Sequence, residues 1–101
     1  MTLRERAAVF KALGHPARLA MVERLGQGEC CVCILMEMPK LPKLSGPTIS
    51  QHLLVLKNAG IIADEKRGKR IFYRLLMPCV ADISLCVGGR HGLTNMSTAD
   101  L

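Results

Sequence analysis

Residues 47–75 read PTISQHLLVLKNAGIIADEKRGKRIFYRL, and the fold turns on this stretch. Pro47 suits the first turn of a helix, where its missing N–H and fixed φ do no harm. The spacing predicts a helix from there to Ala59, with Gly60 as its left-handed cap. Ile49, Leu53 and Leu56 form one stripe of it, and Thr48, Gln51, His52 and Val55 form another that is polar but hardly charged. Ile61–Glu65, Lys66–Lys69 and Arg70–Leu75 then read as strand, turn and strand, with Ile71, Tyr73 and Leu75 on one face and a basic tip.

Working outward, Thr2-Leu3-Arg4-Glu5 has the form of a capping box. Leu3, Ala7, Phe10 and Leu13 follow at helical spacing, and Gly14 stops the helix. Pro16 opens a second helix, with Leu19, Val22 and Leu25 as its inner stripe and Gly26 and Gly28 at its end. A third helix is expected over residues 30–38, until Pro39 and Pro42 forbid its continuation. Lys40 to Gly46 reads as a basic connector. Pro78 opens a last short helix whose stripe is Cys79, Val80, Ile83, Cys86 and Val87, before Gly88-Gly89. Residues 1–90 thus read as one domain and 91–101 as a flexible tail.

The chain has 101 residues, enough for one small domain, and half of them are apolar. It contains two Phe, one Tyr and no Trp, so Leu, Ile, Val and Met must fill the core and stacking surfaces are scarce. The formal charge is +6, and it is unevenly placed: residues 40–74 hold eight basic and two acidic groups. Such an excess points to a polyanion as partner. No apolar run reaches the roughly 18–20 residues that cross a bilayer, and the N-terminus lacks a signal peptide's apolar stretch. A soluble, cytoplasmic chain with no membrane partner is expected.

Helices closing on a polar-faced helix, followed directly by a cationic hairpin, make a mainly α fold with a β-hairpin, a winged helix-turn-helix. The fourth helix can lie in a major groove, with Thr48, Ser50, Gln51 and His52 toward base edges. Lys57 from the same helix and Lys66, Arg67, Lys69 and Arg70 from the hairpin can meet phosphates. A solvated turn beside an ordinary polar helix is the plainer alternative, which the adjacency of the two and their concentrated charge argue against. Double-stranded DNA is favoured over single strands, which are usually held on aromatic platforms.

Four segments, taken in order, resemble the arsenic- and metal-responsive repressors of the ArsR/SmtB family. They are Phe10-Lys11-Ala12-Leu13-Gly14-His15-Pro16-Ala17-Arg18-Leu19, Cys31-Val32-Cys33, Pro47-Thr48-Ile49-Ser50-Gln51-His52-Leu53 and Gly68-Lys69-Arg70-Ile71-Phe72-Tyr73-Arg74-Leu75. The resemblance spans residues 7–76 and implies a homodimeric repressor that leaves its operator DNA when a thiophilic ion binds. It implies Cys31 and Cys33 as thiolate ligands to As(III) or Sb(III), or, as in some members, Cd(II), Pb(II) or Zn(II). The arsenic type often has a third cysteine three residues after this pair. Here that position is Met36, which leaves the adjacent Cys30 as the candidate third thiolate. The connector is longer, and the last helix shorter, than the family pattern.

Five cysteines, three of them in Cys30-Cys31-Val32-Cys33, make a poor disulfide framework and a plausible soft-metal or redox cluster. On an intact helix successive residues advance by about 100°, so Cys31 and Cys33 would point apart while Cys30 and Cys33 share a face. A site using all three therefore requires the first turn to unwind, and three thiolates suit a trivalent arsenic centre. The alternative is that they are small buried hydrophobes. That alternative is stronger for Cys79 and Cys86, additional thiolates only if they cap a site from elsewhere, since they share an apolar stripe suited to a dimer interface. His15 reads as an N-cap or core-edge residue, His52 as part of the fourth helix, and His91 has no visible partner. Met36 and Met38 read as core.

Three rivals keep or change the class. A thiol redox or persulfide sensor would have the same fold but would close a disulfide. A small thiol oxidoreductase would be an enzyme, and against it there is no phosphate-cradling glycine loop. A structural zinc domain lacks its paired Cys-x-x-Cys knuckles.

Overall fold

The Thr2 hydroxyl accepts from the Glu5 N–H at 3.1 Å and the Glu5 carboxylate accepts from the Thr2 N–H at 3.0 Å, so the capping box forms and starts helix α1, Leu3–Leu13. In the computed structural model, which describes residues 1–38 and 44–90, α1 is followed by α2 (Pro16–Leu25), β1 (Cys30–Cys31) and α3 (Val32–Met36). Next come α4 (Gly46–Asn58), β2 (Ile62–Arg67), β3 (Arg70–Leu75) and α5 (Pro78–Leu85), which continues into a wide turn over Cys86–Arg90. The architecture is a winged helix-turn-helix, mainly helical with a three-stranded antiparallel sheet in the order β1-β3-β2.

The hairpin register runs from Ile62 opposite Leu75 to Arg67 opposite Arg70. Its turn is Gly68-Lys69, and Gly68 takes φ +62°, a conformation that side chains with a Cβ resist. Ile49, Leu53 and Leu56 of α4 are buried, as the helical spacing predicts, against Met21, Val22, Leu35, Ile61 and Ile62. Each fully buried side chain of this kind contributes about 1.5–3 kcal/mol. Gly26 lets the end of α2 approach α5, since a Cβ there would lie 2.9 Å from the Ala81 Cβ. Among the described residues no helix is long and apolar enough to cross a membrane.

Three expectations change. The helix expected over residues 30–38 starts only at Val32, because Cys30 and Cys31 are drawn into extended pairing with Tyr73 and Phe72 of β3. In α1 the inward stripe is Val9, Ala12 and Leu13, while Leu3 and Phe10 face outward at 74% and 60% exposure. A single chain covers only one side of this helix. Met36 is likewise exposed, whereas Met38 packs on the core. Most of the expected basic connector and the whole expected tail, with His91, lie outside the described residues.

Candidate nucleic-acid interface and thiol site

Helix α4 begins where Ser45, its N-cap, accepts from the Thr48 N–H at 3.3 Å, with Pro47 in the first turn. The Thr48 hydroxyl is 2.8 Å from that of Ser45, so it is tied to the cap. Ser50, Gln51, Leu54, Val55 and Asn58 form the exposed stripe. Thr48 and His52 drop out of the stripe read off the sequence, and Ser50, Leu54 and Asn58 join it. Leu54 is open to solvent, an apolar group suited to a thymine methyl. His52 turns sideways and is half-buried against His15, with ring centroids 4.4 Å apart.

Lys57, expected to meet phosphate, is held by Asp64 at 3.0 Å. Arg67 is held more fully. Its guanidinium donates to both oxygens of Glu29 and to Glu65, and it lies 4.8 Å over the Phe72 ring. The guanidinium correspondingly keeps the Glu29 and Glu65 carboxyls below the usual carboxylate range. No ion pair involves Lys66, Lys69 or Arg70 among the described residues, and all three are exposed at the hairpin tip. Among the described residues of the hairpin, these three are therefore the cations that no carboxylate holds, while Ser50 and Gln51 are exposed on α4. Glu29 and Asp64, which decide this sorting, were not among the residues singled out from the sequence. Asp64 lies seven residues from Lys57 and could have been suspected, but Glu29 lies 38 residues from Arg67.

The thiols lie on the other edge of β3. Cys31 is extended, with φ −81° and ψ 163°, and caps α3, while Cys33 stands in the helix's first turn. The helical divergence expected of the pair therefore does not arise: their Cα atoms are 5.4 Å apart and a disulfide joins them. Cys30 is a free thiol inside the core at 2% exposure, and burial pushes its pKa up against the opposing influence of Arg24. Cys79 and Cys86 are free and exposed on α5 and the turn after it. Among the described residues no group of three or more His, Cys, Asp or Glu side chains is assembled to hold a metal ion. Only with that disulfide reduced do Cys31 and Cys33 offer two thiolates to a soft ion, and a third from Cys30 requires that side chain to leave the core.

Residues 15–64 match the profile described as "Bacterial regulatory protein, arsR family". An uncharacterised HTH-type transcriptional regulator of Methanocaldococcus jannaschii is 42% identical over 78 residues, which cover 76% of this chain and 84% of that one. The arsenical resistance operon repressor of Escherichia coli is 40% identical over 68 residues, covering 66% of this chain and 56% of that repressor. Among solved structures, the transcriptional repressor BigR from Xylella fastidiosa superposes with a TM-score of 0.76 at 33% identity, covering 91% of this chain and 90% of that one. A homodimeric winged helix-turn-helix DNA-binding domain from Mycobacterium bovis, a possible ArsR-family regulator, superposes with a TM-score of 0.72 at 28% identity, covering 94% and 87%.

Proposed function

Because this chain belongs to the arsR family of bacterial regulatory proteins, a family of DNA-binding transcriptional regulators, we propose that it is a homodimeric repressor released from its operator when As(III) or Sb(III) binds Cys31 and Cys33. The observation that carries this reading is the meeting of the Cys31 and Cys33 side chains at the edge of the strand that forms the wing. In the reduced protein the two thiols replace two hydroxyls of arsenite, so that two As–S bonds form and two water molecules leave. A third thiol, from Cys30, would displace a third water. The arsenical resistance repressor of E. coli supports arsenic as the inducer class.

The route toward the wing runs through strand pairing. Cys31 pairs with Phe72 and Cys30 with Tyr73, so a change at the thiols acts on β3 of the wing. A lesser path runs through Met36, whose Cε lies 4.0 Å from where a Cβ on Gly46 would stand at the start of α4. A hundredfold loss of operator affinity requires about 2.7 kcal/mol of coupling, and operator DNA then weakens ion binding by the same factor.

The disulfide favours one second reading, a thiol redox sensor of the same fold. Here two thiols yield two electrons and two protons to a hydroperoxide, which becomes an alcohol and water. Titrating operator-bound, reduced protein with As(III), Sb(III), Cd(II), Pb(II), Zn(II) and a hydroperoxide, and weighing the released protein, separates the two. The ion reading expects release with a retained arsenic mass, abolished in Cys31→Ser with Cys33→Ser. Release by that double variant at the wild-type arsenite concentration would exclude the pair as the sensor.

A further inference from the structure

Arg67 is the last residue of β2 and stands beside the Gly68-Lys69 tip, yet its guanidinium is engaged by carboxylates of the same chain. Its two Nη groups grip Glu29, one of them also reaches Glu65 at 3.1 Å, and one face of the guanidinium is over Phe72. Phe72 is the register partner of Cys31. Glu29 immediately precedes Cys30 and Cys31 in the chain. The four residues Glu29, Cys31, Arg67 and Phe72 therefore make one continuous patch across the sheet. The backbone tie between β1 and the wing is short, with only two register pairs. The side-chain clamp adds a second tie, whose bidentate geometry fixes direction as well as distance.

We propose that the Glu29–Arg67 ion pair is the latch through which the chemical state of Cys31 and Cys33 sets the position of the wing, and that Arg67 is a positioning residue and not a phosphate contact. The inference rests on the reading of Cys31 and Cys33 as the sensing pair. A change in the spacing of the two sulfurs shifts the end of β1, Glu29 moves with it, and the planar guanidinium transmits that shift to the residue beside the tip. A phosphate would have to displace two carboxylates from Arg67, while no ion pair involves Lys66, Lys69 or Arg70 among the described residues.

Glu29→Gln removes the latch without removing a cation from the hairpin, and Arg67→Gln removes it from the other side. The amide resonance of Gly68 is recorded in wild type, both variants and the double variant, with the cysteines reduced and after diamide, which takes two electrons and two protons from two thiols. Operator affinity of the same samples is measured across a salt series. The wild-type Gly68 resonance shifts on oxidation. In either variant the shift, and the ratio of reduced to oxidised operator affinity, falls by about twofold to fivefold, the range for a partly exposed ion pair, and the double variant falls no further. Arg67→Gln leaves the slope of log K against log salt unchanged. A slope flattened by about 0.9 in Arg67→Gln makes Arg67 a phosphate contact and overturns the latch. An additive double variant also overturns it. If Gly68 responds as expected while wild type shows no salt-dependent duplex binding, the operator reading fails and the latch stands.

Discussion

The imidazoles of His15 and His52 lie with ring centroids 4.4 Å apart and planes tilted by 43°, which joins the N-cap of α2 to α4. The Nδ1 of His15 accepts from the Ala17 N–H at 3.0 Å, so its orientation is fixed by the cap. His52 is held below the ordinary imidazole pKa by burial first, and then by His15 and Arg18.

A lowered imidazole pKa means that the folded protein binds fewer protons than the unfolded chain. Stability from this group is fully present above the ordinary value of about 6.5 and is lost as pH falls through the lower folded value. Denaturant midpoints measured from pH 8 to pH 5 are expected to be level at first and to fall below about pH 6.5. His52→Gln should make that fall shallower. An identical profile in the variant would show that His52 does not set it.

Lys69→Ala and Arg70→Ala are expected to weaken all DNA sequences alike, each flattening the salt slope by roughly 0.9. Gln51→Ala instead relaxes sequence preference, by about 1–3 kcal/mol at the base it reads. Anisotropy titrations on operator and scrambled duplexes distinguish these two kinds of loss.

Cys30→Ala is expected to raise the arsenite concentration needed for release while leaving operator affinity intact, because the side chain is buried and alanine preserves an apolar site. Cys79→Ser and Cys86→Ser, altered at exposed positions on α5 and the turn beyond it, should leave release unchanged. The reverse ranking in an arsenite titration would move the third thiolate to the last helix.

Leu3 and Phe10 on α1, with Ile83, Leu85 and Val87 at the other end of the chain, expose more apolar surface than a monomer of this size comfortably leaves in water. Ile83→Lys or Val87→Lys should therefore give monomers with poor operator affinity. Sedimentation of wild type and variants at micromolar concentration measures this directly.

Leu56 of α4 is wholly buried in the core. Leu56→Ala should cost about 2–5 kcal/mol, read as a fall in denaturant midpoint with an unchanged m-value.

Local signals carried much of this protein's form. The capping box at Thr2 and Glu5, Pro16 and Pro47 in first turns, Gly60 and Gly68 at positive φ, and the stripe of Ile49, Leu53 and Leu56 are short-range features, and each lies where periodicity and turn chemistry put it. The winged helix-turn-helix was legible for the same reason, since helix, turn and hairpin follow one another in the chain. What the sequence could not decide was which charges are spent inside the molecule and which thiols meet. Arg67 and Glu29 are 38 residues apart, and nothing local distinguishes Arg67 from Arg70 three places on. Cys31 meets Cys33 only because β3, forty residues downstream, holds Cys30 and Cys31 extended and delays the start of α3 to Val32. Helical spacing taken alone separates those two sulfurs, and it is the tertiary strand pairing that overrides it.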